Sequence, residues 1–204
     1  MNGLLKITIA MALTTAVAAP TYAASEGESL AIEVAAAGLA PGRFVWNENA
    51  SAEPVTVVVS LPLQRAFVFR GDVMVAASAV STGTNDKPTP TGVFPILQKA
   101  ETHRSNLYDA SMPYMQRLTW DGVALHAGAN PGFPASHGCI RLPAAFAKKL
   151  FAVTDLGTTV VVTDEAFVDT TLDPELLRTE ADRADDAQLA DIVGSLPADE
   201  KPGN

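Results

Sequence analysis

From Pro54 to Thr163 the chain is cut into short runs of β-branched and aromatic residues by closely spaced turn signals, which confines it to a mostly β domain. Val55–Ser60 reads as a strand, and Leu61-Pro62-Leu63-Gln64 interrupts it. Arg65–Arg70 resumes the pattern, Gly71-Asp72 turns the chain, and residues 73–81 read as a third strand. Apolar and polar residues alternate only in part, the pattern expected of strands buried on one face. Thr82-Gly83 and Pro88-Thr89-Pro90-Thr91-Gly92 mark loops ahead of a short strand over residues 93–97. Residues 101–113 show no period and are expected to form a long loop, a feature that in a compact domain tends to be functional. Residues 114–120, then Asp121-Gly122, then residues 123–126 read as a hairpin closed by an Asp-Gly turn. One helix interrupts the β pattern. Pro143 suits its first position, Phe146, Ala147, Leu150 and Phe151 form one apolar stripe, and Lys148 and Lys149 lie near its end. Gly157 then opens a return strand over residues 158–163.

The flanks differ from this core. Lys6 precedes an apolar run over residues 7–19, followed by Pro20 and the small-residue stretch Thr21-Tyr22-Ala23-Ala24. That order of charge, short apolar core and small residues is a secretory signal, with cleavage expected near Ala23. The run is too short to span a bilayer comfortably, since spanning takes about 20 apolar residues. After cleavage no stable membrane insertion is expected, and export to the periplasm or cell wall is. Residues 24–53 read as a leader with little structure, in which Arg43-Phe44-Val45-Trp46 is expected to touch the domain edge. Residues 54–163 form the β-rich core domain. Residues 164–204 form an acidic tail, helical from about residue 175 to 193 or disordered, with Leu176, Leu177, Leu189 and Ile192 as its apolar positions. The formal charge of −9 belongs to that tail, which holds twelve acidic and three basic residues; the rest of the chain balances. No basic patch stands out, so nucleic acid is not an expected partner.

Cys139 is the only cysteine, so no internal disulfide is possible. Outside the cytoplasm a lone thiol is either buried and inert or kept for its reactivity. Its neighbourhood favours neither by count alone, but two of the three histidines lie close by in sequence, His126 and His137. A thiol attacks as thiolate, and a nearby imidazole takes its proton or stabilises the anion. Gly138 permits a tight turn whose backbone N–H groups can bind a developing oxyanion. Zinc needs more soft ligands than the remaining His103 supplies, so no metal site is expected.

His126-Ala127-Gly128, followed by Ser136-His137-Gly138-Cys139-Ile140-Arg141, resembles the signature of the L,D-transpeptidase catalytic domain. Ser81-Thr82-Gly83, Thr89-Pro90-Thr91-Gly92-Val93-Phe94 and Met112-Pro113-Tyr114 extend the resemblance upstream, so that it covers residues 55–163. Two departures are visible: Ala127 stands where many members carry Gly or Ser, and Arg141 where others carry Asn. The resemblance implies a mainly β, sandwich-like fold with one or two short helices. It implies Cys139 as nucleophile, His126 as proton donor and acceptor oriented by the carbonyl of Ala127, and backbone N–H groups around Gly138 as oxyanion hole. His137 supports the turn, with a purely structural loop role as its alternative. Ser136 holds the loop. Arg141 either binds a substrate carboxylate through its planar fork or pairs with a core acid. Tyr114 either faces the cleft or packs in the hairpin. Trp120 is expected in the core, and His103 and Arg104 in a solvated loop over the cleft.

The implied reaction takes a peptidoglycan tetrapeptide stem, releases D-alanine and passes the acyl group to an amine in a 3→3 cross-link, without metal or organic cofactor. Carbapenem-type inhibitors are the implied covalent ligands. The motif does not distinguish this activity from an L,D-carboxypeptidase, a lipoprotein-anchoring enzyme or a D-amino-acid-exchange enzyme. A non-catalytic wall-binding module would have lost thiol or base, and both are present.

Overall fold

The structure is a computed structural model that describes residues 22–48, 50, 52–105, 109–167 and 172–195. The signal-peptide reading covers residues 1–23, of which residues 1–21 lie outside the described residues.

The run Val-Thr-Val-Val-Val-Ser forms strand β2 (Val55–Ser60), and Arg65–Arg70 forms β3, antiparallel to it in the register Val58↔Phe67. Between them Gln64 adopts a left-handed backbone at φ 48, and its side chain bonds the carbonyl of Leu61 at 2.8 Å. β4 (Val73–Ala79) pairs with β3 through a bulge at Val68/Phe69. β1 (Phe44–Trp46) adds to β4. On the other side β10 (Thr159–Thr163) runs parallel to β2 and pairs with β5 (Gly92–Pro95). The six-stranded order is β1-β4-β3-β2-β10-β5. Both faces of this sheet are buried, not one. Val57, Val59, Val68, Val160 and Val162 enter one core; Val58, Phe67, Phe69 and Val161 enter a second on the opposite face. Two-sided burial explains why these strands read as nearly continuous apolar runs.

The second sheet has the order β6-β7-β8-β9, with β6 (Gln98–Ala100), β7 (Met115–Arg117), β8 (Ala124–Ala127) and β9 (Ile140–Leu142). β8 and β9 are parallel, and His126 stands opposite Arg141. The hairpin β7–β8 is present, but its turn is wider than an Asp-Gly pair: Gly122 N–H donates to Thr119 O at 3.3 Å and Leu118 N–H to Val123 O at 2.8 Å. Helix α2 (Ala144–Val153) buries Phe146, Ala147 and Leu150. Pro143 caps it from outside the first turn, where its missing N–H costs nothing. Phe44 and Trp46 pack on Phe146, with ring centroids 5.6 and 5.5 Å apart. The result is the expected two-sheet, mainly β fold.

The leader is more ordered than expected. Helix α1 (Tyr22–Ala37) packs on β4 and buries Ala36 in the second core. The guanidinium of Arg65 fastens its end, donating to Ala36 O at 3.3 Å and Leu39 O at 2.5 Å. In the tail the expected single helix is two. A 3-10 turn, Pro174–Leu177, is capped by Asp173, and α3 (Glu180–Ser195) is preceded by a capping box in which Thr179 and Asp182 exchange hydrogen bonds. Leu176 and Leu177 pack on the second core, whereas Leu189 and Ile192 are exposed. Among the described residues no helix is long and apolar enough to cross a membrane.

Candidate active site

The two-residue period of the second sheet sorts its side chains. Gln116, Leu125, Ile140 and Leu142 are fully buried, the last three within the sandwich core. Met115 and Arg117 on β7, Ala124 and His126 on β8, and Cys139 and Arg141 at β9 line an open cleft of about 920 Å³. Residues remote in sequence thus meet because strand pairing places them on one pleated face. The core side has its own tie: Thr154 after α2 donates to Gln116 Oε1 at 2.7 Å.

His126 is buried, and its Nδ1 lies 2.8 Å from the carbonyl of Ala127. A carbonyl only accepts, so the proton sits on Nδ1 and Nε2 keeps its lone pair, the tautomer a general base requires. Ala127 is itself anchored, its N–H donating to Pro113 O at 2.8 Å. The orienting group is main chain, so Ala in place of Gly or Ser leaves it intact.

The Cys139 thiol donates to Gly122 O at 3.5 Å. Burial pushes the thiol above its ordinary value, opposed by the Ala124 backbone and by the charges of Arg141 and Arg117. Burial likewise pushes the His126 imidazole below its ordinary value; its bond to Ala127 opposes this, and the charges of Arg141 and His103 add to it. Both shifts disfavour charge on the free side chains.

The loop that presents Cys139 is held from within and without. Ser136 Oγ accepts from Gly138 N–H at 3.1 Å and donates to Cys139 O at 2.5 Å. Gly138 has φ 111, a conformation that side chains rarely adopt. Thr89, from the Thr-Pro-Thr-Gly motif, accepts from Gly83 N–H at 2.9 Å and donates to Gly138 O at 2.8 Å. The Gly138 N–H, expected as an oxyanion donor, is engaged by Ser136 in this structure. The Cys139 N–H has no hydrogen-bond partner among the described residues.

Other expectations shift. Tyr114 does not line the cleft; with φ 56 it turns its ring onto Phe151 of α2, centroids 5.9 Å apart. Trp120 is not core. It sits in the Thr119–Gly122 turn, 74% exposed, on the cleft wall. His137 is exposed and lines the cleft, and so does His103 from the long loop. Arg104 is exposed and pairs with Asp109 at 2.6 Å. Arg141 makes no ion pair with a core acid among the described residues. Sequence reasoning missed Arg117, although its position one residue beyond buried Gln116 on a paired strand put it on the His126 face.

A two-sheet β fold carrying a half-buried thiol, an oriented imidazole and a tightly held presenting loop in one open cleft is equipped for cysteine-based acyl transfer. The family model of the L,D-transpeptidase catalytic domain matches residues 54–162, which contain every element of this cleft. The chain belongs to that family.

Solved structures agree with the assignment. An L,D-transpeptidase from Stackebrandtia nassauensis is 31% identical, with a TM-score of 0.50 over 56% of this chain and 58% of that one. The L,D-transpeptidase LdtMt1, solved in complex with imipenem, is 25% identical, with a TM-score of 0.52 over 54% and 59%. An L,D-transpeptidase from Mycobacterium tuberculosis H37Rv is 26% identical, with a TM-score of 0.50 over 53% and 57%. The chain thus spans less than two thirds of the length of these relatives. No functionally curated protein matches its sequence.

Proposed function

We propose that this chain is an exported cysteine L,D-transpeptidase that acts on peptidoglycan tetrapeptide stems. The observation that carries the proposal is the placement of Cys139 and His126 in the lining of one cleft, the imidazole held by Ala127 O in the tautomer that leaves Nε2 free. In the first step Cys139 S–H gives its proton to His126 Nε2 as sulfur attacks the carbonyl at the L-centre of diaminopimelate. The C–N bond to the terminal D-alanine breaks, the proton passes to the leaving amine, and a thioester remains. An amine then attacks the thioester, the C–S bond breaks, and the amine's proton returns to sulfur through His126. The N–H of Cys139 is the loop donor available to the oxyanion. Steps of this kind use only protons and acyl groups, so the site residues suffice for them.

Incubation with disaccharide-tetrapeptide and mass analysis of the products tests the reading. Dimer or exchanged stem indicates transfer, and tripeptide alone indicates a carboxypeptidase. Cys139→Ala should abolish turnover while leaving the circular dichroism spectrum unchanged; retained turnover removes Cys139 as nucleophile. A carbapenem should add to Cys139 through the same attack, and a folded enzyme that shows no adduct by intact mass counts against the site. Export follows from the signal-like N-terminus, and appearance of the full-length product in the cytoplasm alone would refute it.

A further inference from the structure

Residues 36–43 precede the matched domain, yet they reach the loop that joins the base to the nucleophile. That loop, residues 128–135, leaves β8 just after His126 and Ala127 and runs into the Ser136–Cys139 turn. Its ends are tied to strands and their extensions. Gly128 N–H donates to Leu142 O at 3.0 Å, and the N–H groups of Ala135 and Ser136 both donate to Thr82 O at 3.0 Å. Its middle carries a cost. Asn130 Nδ2 is buried without a hydrogen-bond partner among the described residues, Gly132 has φ 91, and the Phe133 side chain is exposed. A loop with an unpaired buried amide relaxes toward water unless something outside it holds it in place.

Two supports come from outside. Ser81 Oγ donates to Phe133 O at 2.8 Å. The other is Pro41. Arg43 N–H donates to Ala40 O at 3.0 Å and closes a turn with Pro41 and Gly42 at its centre. Gly42 has φ 74, so proline and glycine occupy the positions they favour in a type II turn. This stiff turn sets the Pro41 ring on Gly132, where a Cβ would lie 2.5 Å from Pro41 Cγ. The turn is itself held by the sheet. Arg65 donates to Ala36 O and Leu39 O just ahead of it, and Ala79 N–H donates to Arg43 O at 3.0 Å just behind it. Beside Arg65, the buried Gln64 donates to Thr82 Oγ1 at 2.7 Å and accepts from Thr82 N–H at 3.0 Å. Thr82 is the residue whose carbonyl holds Ala135 and Ser136. The leader and the cysteine loop are thus tied to adjacent residues, Arg65 and Gln64, and meet again at Pro41 and Gly132.

We propose that residues 36–43 brace the active site, with Pro41 as a positioning residue. Its ring fixes the loop between His126 and Cys139, and with it the placement of the thiol relative to the imidazole. Pro41 does not line the cleft, so its loss changes the rate and spares substrate binding. The effect on turnover rests on the acyl-transfer reading above; the effect on the thiol does not.

The test uses Pro41→Ala, Gly132→Ala and the double variant in the full chain. D-alanine release from disaccharide-tetrapeptide gives kcat and KM, and iodoacetamide gives the alkylation rate of Cys139. Pro41→Ala should lower kcat roughly 5- to 20-fold with KM within about threefold, since misplacing a reacting group by about 1 Å costs up to about 100-fold. Gly132→Ala should lower kcat roughly 10- to 100-fold, because the new Cβ and the ring compete for one space. The double variant should be at least about fivefold more active than Gly132→Ala, since loss of Cγ relieves the clash; independent losses would multiply instead. Alkylation rates should depart from wild type by at least about twofold in each single variant and return toward it in the double. Leu30→Gln, at an exposed position of α1, should match wild type in both assays. A Pro41→Ala enzyme with wild-type kcat and alkylation rate, or a double variant no better than Gly132→Ala, overturns the proposal. So does loss of the circular dichroism spectrum in Pro41→Ala, because a brace at an exposed position is not a folding element. If the wild type releases no D-alanine, the acyl-transfer reading fails, and the alkylation rates alone decide whether Pro41 positions the thiol.

Discussion

Thr89→Val removes one hydroxyl with almost no change of shape, and that hydroxyl joins two distant parts of the site. Thr89 Oγ1 accepts from Gly83 N–H and donates to Gly138 O, at 2.9 and 2.8 Å, and the residue is only 4% exposed. Valine leaves a backbone donor and a backbone acceptor without partners in a place water reaches poorly. Each such loss costs about 1–3 kcal/mol. Because the two bonds share one oxygen they are not independent, and a net loss of roughly 2–4 kcal/mol is expected. In a chain of this size that corresponds to a fall in melting temperature of roughly 5–15 °C. Urea denaturation followed by tryptophan fluorescence measures the stability change. The rate of thiol alkylation at Cys139 reports the presenting loop, and it should change in parallel because Gly138 immediately precedes the cysteine. Thr89→Ser keeps both bonds and should stay close to wild type. A valine variant within about 0.5 kcal/mol of wild type, or a serine variant as unstable as valine, refutes the reasoning.

Three further outcomes follow from the same geometry. Burial raises the Cys139 thiol, so iodoacetamide alkylation of the free enzyme should rise with a midpoint above the ordinary thiol value of 9.0; a reactive plateau already present below that of an ordinary imidazole would indicate a resting ion pair instead. Burial lowers His126 from 6.5, so around that pH the folded state binds fewer protons than the unfolded state. Stability contributed by this residue is therefore present above 6.5 and lost as pH falls through the lower folded value, and urea midpoints of wild type and His126→Gln should converge on acidification. Lys99 Nζ closes the end of α2 by donating to Phe151 O at 2.7 Å and to Thr154 O, and it lies 4.3 Å from the Phe151 ring centroid. Lys99→Met should cost about 1–2 kcal/mol in thermal stability while sparing turnover; an unchanged melting temperature would show that these carbonyls are as well served by water.

Legibility in the sequence followed burial and local chemistry. Val55–Ser60 and Arg65–Arg70 could be read to the residue because β-branched and aromatic runs meet a sharp break at residues 61–64. Their two-sided burial was not evident, since what covers the second face, α1 and residues around Phe167, comes from segments that looked unstructured. Helix α1 is rich in Ala and docks through small residues such as Ala36, which leave a weak apolar stripe. Cys139 and His126 were legible because their chemistry is rare and their motif ordered. Backbone conformation decides two aromatic positions: Tyr114, at a left-handed φ, packs on α2 and does not face the cleft, and a four-residue turn lifts Trp120 out of the expected core to the cleft wall. The occupied N–H of Gly138 depends on a hydrogen bond inside the loop, which no spacing rule specifies.

The most direct test of the account is to mix the enzyme with disaccharide-tetrapeptide, quench with acid, and map the protein by mass. The account predicts release of D-alanine and a labile acyl adduct on the peptide that contains Cys139, absent from Cys139→Ala. An adduct on another residue, or wild-type turnover by the alanine variant, would contradict it.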